Sequence, residues 1–529
     1  MKVLGIYGSI GFDGSARESY IHDAGATLFV NGEHVCSIQE ERLSRLKYDG
    51  RYPEKSIDYV LDNVKKEEID LVIFVDIGLE GWVKEHLSQG KPHKFLQEVF
   101  PNADIGYISH HQAHAYSSIF TQPANEGVCI VIDGGGCHNW TNKVSLGLET
   151  GSLVYFNKRK GVFRYIPFNA QWGLLHQTWS HYIYCKKAKK KIEYNDPLHH
   201  CAMSGKIMGL AAYGSKKHNT KLYEFGQYFP QCEFSMRDPD PYPLTPEEKA
   251  QLLQYNFEES LIELIERFDE DYLEPVVCLT GGTFLNINVN TKIVQKFKNR
   301  KFHITPFVSD CGLSYGAAAF GSSLWNDVQV PSDLAFLGRR YLTPPQIREE
   351  NLDLKKVAQY LEDGKIVAWY RGRSEFGPRA LGNRSILMSP KYKENKDILN
   401  EKVKHREEWR PFAGIMLEEH QKDYFVEDYP NEYMLYSLVV KPHQRKNIGA
   451  ITHQDGTCRI QTVNDELHPE VTTLLQKYKD ETGCPILLNT SFNDNGQPII
   501  ETPQDAIDTF NNIDLDYLCI GNYIINKNS

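Results

Sequence analysis

The chain reads as an α/β protein: a large first part that repeats its own plan, then a smaller second α/β part. Three observations lead there. Runs that read as strands and helices alternate through the first part, which suits helices packed on sheets. Two glycine-rich turns, Asp133-Gly134-Gly135-Gly136 and Thr280-Gly281-Gly282-Thr283, end strands in separate halves of it. From about Asp327 to Leu354 the chain carries Pro331, Pro344 and Pro345 and no clean period, which marks a linker. The expected parts are 1–345 and 346–529.

The elements follow in order. Val3 to Tyr7 is a core strand rather than a signal peptide, since no long apolar region follows. Ala26 to Val30 and His34 to Ile38 flank Asn31-Gly32, a strong two-residue hairpin signal. Pro53 opens an amphipathic helix to about Val64. Ile69 to Val75 is the next strand, His110 to Phe120 a helix, and Gly127 to Ile132 the strand that runs into Asp133. Gln251 to Phe268 is an amphipathic helix of structural kind. Pro275 to Leu279 and Phe302 to Thr305 are strands; Asp310 and a small-residue helix, Leu313 to Trp325, follow. Its Gly316-Ala317-Ala318-Ala319 face suits close packing. Two glycine-rich strand ends fit two similar subdomains facing a cleft. Beyond the linker, a second α/β unit runs from about Lys355 to the end, and Lys365 to Tyr370 is a buried strand within it.

Composition narrows the function. A chain of 529 residues holds about two to four domains. No apolar run is long enough to span a membrane. Eleven scattered cysteines, with no Cys-x-x-Cys pair, argue against a disulfide framework and a structural zinc site and for a reducing cytoplasm. A formal net charge of −10 speaks against a nucleic-acid partner. The run Lys186-Lys187-Ala188-Lys189-Lys190-Lys191 departs from that balance locally.

The most informative segment is Gly372-Arg373-Ser374-Glu375-Phe376-Gly377-Pro378-Arg379-Ala380-Leu381-Gly382-Asn383-Arg384-Ser385, just after the buried strand. Arginine offers a planar fork of donors for phosphate or carboxylate. Glycine lets backbone N–H groups approach an anion. The loop reads as an oxyanion cradle, with a solvated turn as the bland alternative. Lys404, Arg406, Arg410, Arg459 and Ser491 add donors in segments rich in Gly, Pro and Asn. Together they favour a pocket for polyphosphate or carbamoyl phosphate over a set of surface salt bridges.

A second constellation lies earlier. His110 and His114 stand four apart on a helix, so both imidazoles share a face. Asp133 and Asp310 lie at strand ends. Two His and two carboxylates make a mixed N/O site suited to Fe(II), Mn(II) or Zn(II). His-x-x-x-His alone also fits two ordinary histidines; the adjoining Asp133-Gly134-Gly135-Gly136 favours the ligand reading. Gly205 to Gly214 and Thr280 to Asn290 offer further glycines, hydroxyls and amides, and neither is a Walker loop.

In order, His22-Asp23, His110-His111-x-x-His114, Asp133-Gly134, Gly205-Lys206-x-Met208-Gly209-Leu210, Gly281-Gly282, Asp310, Glu375 to Ser385, Arg410-Pro411-Phe412-Ala413, Asp455-Gly456-Thr457 and Asn489-Thr490-Ser491-Phe492-Asn493 resemble the NodU/CmcH-type O-carbamoyltransferases. The match covers nearly the whole chain, and its C-terminal motifs are highly specific. The resemblance implies a first domain of the actin-like ATPase superfamily with duplicated ribonuclease H-like folds, and a YrdC-like second domain. It implies two half-reactions: carbamoyl phosphate and ATP, with Mg(II), give carbamoyl adenylate; the carbamoyl group then passes to a hydroxyl of a small metabolite. His110, His114, Asp133 and Asp310 would hold the metal, typically iron, and His22 would act at the transfer centre. Arg373, Arg379, Arg384, Lys404, Arg410, Arg459, Ser491 and Asn493 would bind carbamoyl phosphate and ATP, with Lys404 and Arg459 catalytic. Gly134, Gly135, Lys206, Gly209, Gly281, Gly282 and Asn286 would hold the adenylate in the first domain.

Two stretches depart from the family pattern: a polar, Gly-rich run from Ser9 to Tyr20, and an insertion at about Lys186 to Cys201. Both read equally as acceptor-pocket walls or as surface loops. The competing functions are carbamoyl-type transfer to tRNA, which the acidic chain and the fused second domain disfavour, and a non-catalytic nucleotide-sensing scaffold.

Overall fold

The computed structural model describes residues 1–10, 21–76, 91–135, 138–141, 144–170, 172–190, 197–216, 244–269, 274–343 and 350–527. The first sheet is built from β1 (Lys2–Tyr7), β2 (Gly25–Val30) and β3 (Glu33–Gln39), then, after α1 (Glu40–Ser44) and α2 (Glu54–Leu61), from β4 (Leu71–Asp76). Helix α3 (Lys91–Val99) leads to β5 (Asp104–Ser109). The strand order is β3-β2-β1-β4-β5, with the first three antiparallel and β1, β4 and β5 parallel. Asn31 at φ 51° and Gly32 at φ 87° make the expected turn, since a type I′ hairpin needs both central residues left-handed. Helix α2 stops at Leu61, short of Val64, because Asp62 turns to φ 51°.

After α4 (His110–Ile119) the plan recurs. The next elements are β6 (Glu126–Ile132), the small β7 (His138–Thr141) and β8 (Val144–Leu148) ribbon, β9 (Gly151–Asn157) and β10 (Gly161–Phe168). Helices α5 (Trp172–Ala188), α6 (Pro197–Leu210) and α7 (Pro246–Asp269) separate them from β11 (Val276–Thr280), α8 (Ile287–Lys296), β12 (Lys301–His303) and α9 (Leu313–Ser323). This second sheet has the order β10-β9-β6-β11-β12, with the same pattern of strand directions. The two sheets therefore correspond strand for strand, as the expected duplicated ribonuclease H-like plan requires. Helices α4 and α9, each following the last strand of its sheet, cross in close contact. A Cβ on Gly316 would stand 1.9 Å from the carbonyl oxygen of Ala113, and one on Gly5 would stand 2.1 Å from that of Ser314. The small residues of α9 are there because the backbones touch.

The third sheet draws its strands from the second part: β13 (Glu350–Asn351), β14 (Val367–Tyr370), β15 (Arg384–Met388), β16 (Ala413–Leu417), β17 (Ser437–Val439), β18 (Thr457–Val463), β19 (Ile486–Ser491), β20 (Tyr517–Ile520) and β21 (Tyr523–Asn526). Their order is β13-β21-β20-β14-β15-β19-β16-β18-β17. With them run α10 (Leu354–Glu362), α11 (Glu394–Leu399), α12 (Pro469–Thr482) and α13 (Pro503–Asn512). Trp369, Leu387, Ile415 and Leu488 are among its fully buried residues.

The linker is not a loose tether. Leu334, Ala335, Phe336 and Leu337 are buried. Backbone bonds join Ser37 N to Leu337 O, Phe376 N to Ala335 O and Gly338 N to Ser374 O. This segment stitches the two parts together. The expected boundary, with Pro344 and Pro345, lies outside the described residues, as do Gly136 and the stretches 11–20 and 191–196. Among the described residues, no helix is long and apolar enough to cross a membrane.

Candidate active site

The metal-type cluster assembles from equivalent ends of the two repeats. Ser109 caps α4, its Oγ accepting from Gln112 N at 3.3 Å. That start fixes His110 and His114 one turn apart on one face. Asp133 follows β6, and Asp310 stands just ahead of α9. His110 Nε2 lies 2.9 Å from Asp133 Oδ2 and 3.5 Å from Asp310 Oδ1. His114 Nε2 lies 3.3 Å and 3.4 Å from the same two atoms. All four residues are buried, and their ligand atoms fall within 4.8 Å of one another.

Charge here is finely balanced. Burial alone would raise the Asp133 carboxyl, but hydrogen bonds from His110 and His114 outweigh it and hold it well below the usual range. Asp310 is likewise pushed up by burial and by Asp133, yet ends lowered by His110, His22 and His114. For His114, burial disfavours the cation, but the two carboxylates prevail and raise it to about 9. Two carboxylates thus stay ionised in a buried space and call for positive charge beside them. Two imidazole nitrogens and two carboxylate oxygens at these separations fit a divalent ion of the Fe(II), Mn(II) or Zn(II) kind.

Three further groups converge. His22 Nδ1 is 3.2 Å from Asp23 Oδ2, and its Nε2 is 3.9 Å from Asp310 Oδ2. The Tyr7 hydroxyl donates to that same Oδ2 at 2.8 Å. Gly282 N donates to Asp133 Oδ1 at 3.1 Å. Gly281, at φ 101°, passes so near β6 that a Cβ would stand 2.3 Å from Ile132 O. Gly134 and Gly135 continue from Asp133.

The other constellation lies in the second part. The strand β14 feeds the arginine loop, and the chain returns as β15. A single π-turn, Asn400–Lys404, ends with His405 at φ 44°. Lys404 Nζ donates to Ser491 O at 2.6 Å, to Asn493 O at 3.0 Å and to Asn493 Oδ1 at 2.8 Å. Ser491 Oγ also donates to Asn493 Oδ1, at 2.6 Å. Arg379 Nε and Arg459 Nε are buried without a hydrogen-bond partner among the described residues.

These cations crowd one another. Burial, then Arg379, Arg406 and Arg410, hold Arg459 well below its ordinary value. Burial and Arg410 bring Arg406 down to about 9. Lys404 is depressed by burial and then by Arg406, Lys47 and Arg410. A group of cations that weaken each other out of water suits an anion, because a bound polyanion removes the repulsion. Burial lowers Arg379 as well, and both Tyr48 and Cys311 of the first part lie in its electrostatic surroundings. The loop that carries Arg379 packs on the segment ahead of Asp310: the Phe376 and Phe307 ring centroids are 5.1 Å apart.

Several expected site residues also have partners within the chain. Arg384 is fully buried and gives its guanidinium to Arg371 O at 2.8 Å and Asn383 O at 3.1 Å, over the Tyr370 ring. Arg373 donates to Gly338 O at 2.7 Å and Leu337 O at 3.3 Å. These two fork donors onto backbone carbonyls and so tie the loop together. Lys206 pairs with Glu407 Oε1 at 2.8 Å, across the two parts. Gly209 gives room for Pro411 Cδ, which a Cβ would meet at 3.3 Å. Asn286 Oδ1 caps α8, accepting from Val289 N at 3.2 Å. Tyr7 and Glu407 are not among the residues that the sequence singles out. Nothing local marks Tyr7, but Glu407 stands in the same charged run as Lys404 and Arg410.

Known proteins resemble the chain along its length. Residues 358–527 match the family model described as Carbamoyltransferase C-terminus, and 16–99 with 235–319 match Carbamoyltransferase N-terminus. Nodulation protein NolNO of Sinorhizobium fredii is 30% identical over 572 residues, covering 96% of this chain and 79% of that protein. The 3'-hydroxymethylcephem-O-carbamoyltransferase of Amycolatopsis lactamdurans is 34% identical over 234 residues, 43% of this chain and 44% of that one. Nodulation protein U of Rhizobium tropici is 36% identical over 225 residues, 42% and 39% respectively.

Proposed function

The chain belongs to the carbamoyltransferase family, and from that premise we propose that it makes carbamoyl adenylate in its second domain and passes the carbamoyl group to a hydroxyl of a small acceptor in its first. Carbamoyl phosphate and water give carbamate and phosphate. Carbamate and ATP then give carbamoyl adenylate and pyrophosphate. Last, the acceptor oxygen bonds to the carbamoyl carbon, the bond to AMP breaks, and AMP leaves. Domain limits of 1–345 and 346–529 belong to this reading.

The observation that carries it is the cluster of Arg379, Lys404, Arg406 and Arg459 around Arg410: burial and neighbouring cations depress the basicity of all four at a strand-end pocket. Such a set suits phosphates in transfer, where charge must be met by groups already in place. Lys404 is fixed at one point by three oxygens of Ser491 and Asn493; these take all three of its N–H donors, so a phosphate oxygen would replace one of them. Arg379 and Arg459 bring forks that await a ligand.

In the first domain, His22 is the base for the acceptor hydroxyl. Asp23 at 3.2 Å from Nδ1 holds the ring so that Nε2 turns toward the Asp310 side. Tyr7 keeps Asp310 oriented through Oδ2. His110, His114, Asp133 and Asp310 would hold the metal, which supplies a Lewis acid for the carbonyl or phosphate of the adenylate. Gly282 N–H supports that point by donating to Asp133 Oδ1 at 3.1 Å. A relative named for O-carbamoylation of a hydroxymethyl group supports a hydroxyl acceptor. The test is pyrophosphate release from ATP by the purified chain. Release is expected only with carbamoyl phosphate present; release that ignores carbamoyl phosphate would sink this assignment.

A further inference from the structure

Within the arginine loop, nearly every polar side chain is spent on the loop itself or on its supports. Ser374 Oγ donates to Glu501 Oε1 at 2.8 Å, and Asn383 Nδ2 to Arg373 O at 2.7 Å. Gly382 N donates to Ser385 Oγ at 3.2 Å. Arg373 and Arg384 are tied to backbone carbonyls. Arg379 differs: Arg384 also has an unpartnered Nε but spends its other donors on carbonyls, whereas the Arg379 guanidinium makes no hydrogen bond to a described residue and stands beside the cations Arg410 and Arg459. The loop thus commits two of its arginines to structure and leaves the third for a ligand.

Glu375 produces that shape. It is buried, and one oxygen, Oε1, accepts three backbone N–H groups: Leu381 at 2.9 Å, Asn383 at 3.0 Å and Arg384 at 3.0 Å. Three N–H groups on one oxygen form a concave anion nest. Here the anion is the protein's own carboxylate, so the nest is filled and the ligand is left to Arg379. The bonds span Leu381 to Arg384 from position 375, and the turn they close carries Arg379. The near end is held by the first part of the chain. Gly377 N donates to Gln39 Oε1 at 3.2 Å, and Arg42, fully buried, donates to Gly377 O at 2.7 Å. Phe376 packs on Phe307 with ring centroids 5.1 Å apart.

We propose that Glu375 is a positioning residue for the anion pocket: its carboxylate gathers the backbone of Leu381, Asn383 and Arg384 and so presents Arg379 to phosphate. The proposal rests on the reading of that pocket as a polyphosphate site. Glu375 touches no ligand; it acts through Arg379.

The test is a double-mutant cycle on the full chain, read by calorimetric binding of inorganic pyrophosphate. Glu375→Ala should weaken binding on the order of 10-fold to 100-fold, as when a charge-assisted hydrogen bond to the anion no longer forms. Glu375→Gln keeps an acceptor oxygen and should recover most of the affinity. In an Arg379→Ala background, adding Glu375→Ala should cost less than about 3-fold, because residues acting as one unit are not additive. Glu375→Asp retains charge but shortens the reach and must reproduce the weakening, which covers the case in which the Ala variant does not fold. Full additivity with Arg379→Ala, or wild-type affinity in Glu375→Asp, would overturn the proposal. A wild-type chain that does not bind pyrophosphate would overturn the pocket reading beneath it, and the proposal with it.

Discussion

Arg379 and Arg384 stand in one loop and meet opposite conditions. Arg384 is fully buried and tied to carbonyl oxygens over the Tyr370 face. Arg379 and Arg459 lie beside like charges, and neither guanidinium makes a hydrogen bond to a described residue. Arg384→Ala leaves carbonyls without donors, and should cost on the order of 2–4 kcal/mol of folding stability, measured by chemical denaturation. Arg459→Ala removes a repelled cation, so stability should hold or rise while pyrophosphate binding falls. A variant of Arg459 that unfolds like one of Arg384 would show that both are scaffold. These two fates are not separable in the sequence. Residue types suited to an anion are plain there, but which arginine is spent on carbonyls depends on Glu375, on Gly338 and on backbone far away in the chain. The metal-type cluster is more legible, because His110 and His114 share one helix and Asp133 closes a strand. Tyr7 is not, since its bond to Asp310 joins positions that only the fold brings together.

At the scale of elements, the crossing of α4 and α9 sets the distance between the two His and Asp310. Gly316 is the contact point, with room for no Cβ against Ala113 O. Gly316→Val should destabilise the chain by about 1–3 kcal/mol or more and lower iron or zinc uptake together with stability; elemental analysis with normal metal content would separate the crossing from the site. A second joint links α6 to the loop before β16. Lys206 holds Glu407 at 2.8 Å, and Tyr184 OH donates to the same oxygen at 2.9 Å. Burial would raise Glu407, but Lys206 and Arg410 bring it down to about 2. A carboxylate lowered in the fold stabilises above its unfolded value and loses that contribution as pH falls through its folded one. The stability gap between wild type and Glu407→Gln should therefore be open at pH 7 and close between about pH 4.5 and pH 2. Denaturation at pH 7 and pH 3 checks this; a gap that does not shrink by pH 3 contradicts it. The strands and helices that build these joints are legible from apolar runs and turn residues. The joints are not, because a lysine on one helix and a glutamate about two hundred positions later carry no local signal.

Over the whole molecule, the proposed reaction is divided between two sites, and the buried linker bonds to both parts of the chain. Two glycine-rich strand ends announce the duplicated sheets, and the strand before the arginine loop announces the third. The prolines mark the linker, and the apolar residues Leu334 to Leu337 between them are buried. A crossed experiment tests the division itself. Lys404→Ala should lose pyrophosphate release by on the order of 100-fold to 1,000-fold and still transfer from supplied carbamoyl adenylate. His114→Ala should release pyrophosphate normally and fail in transfer. The sharpest of these readings is AMP release from supplied carbamoyl adenylate, with an acceptor found by a carbamoyl mass gain, in the Lys404→Ala chain. Release near the wild-type rate is expected if the two sites are separate; release that vanishes along with adenylate formation would refute the division.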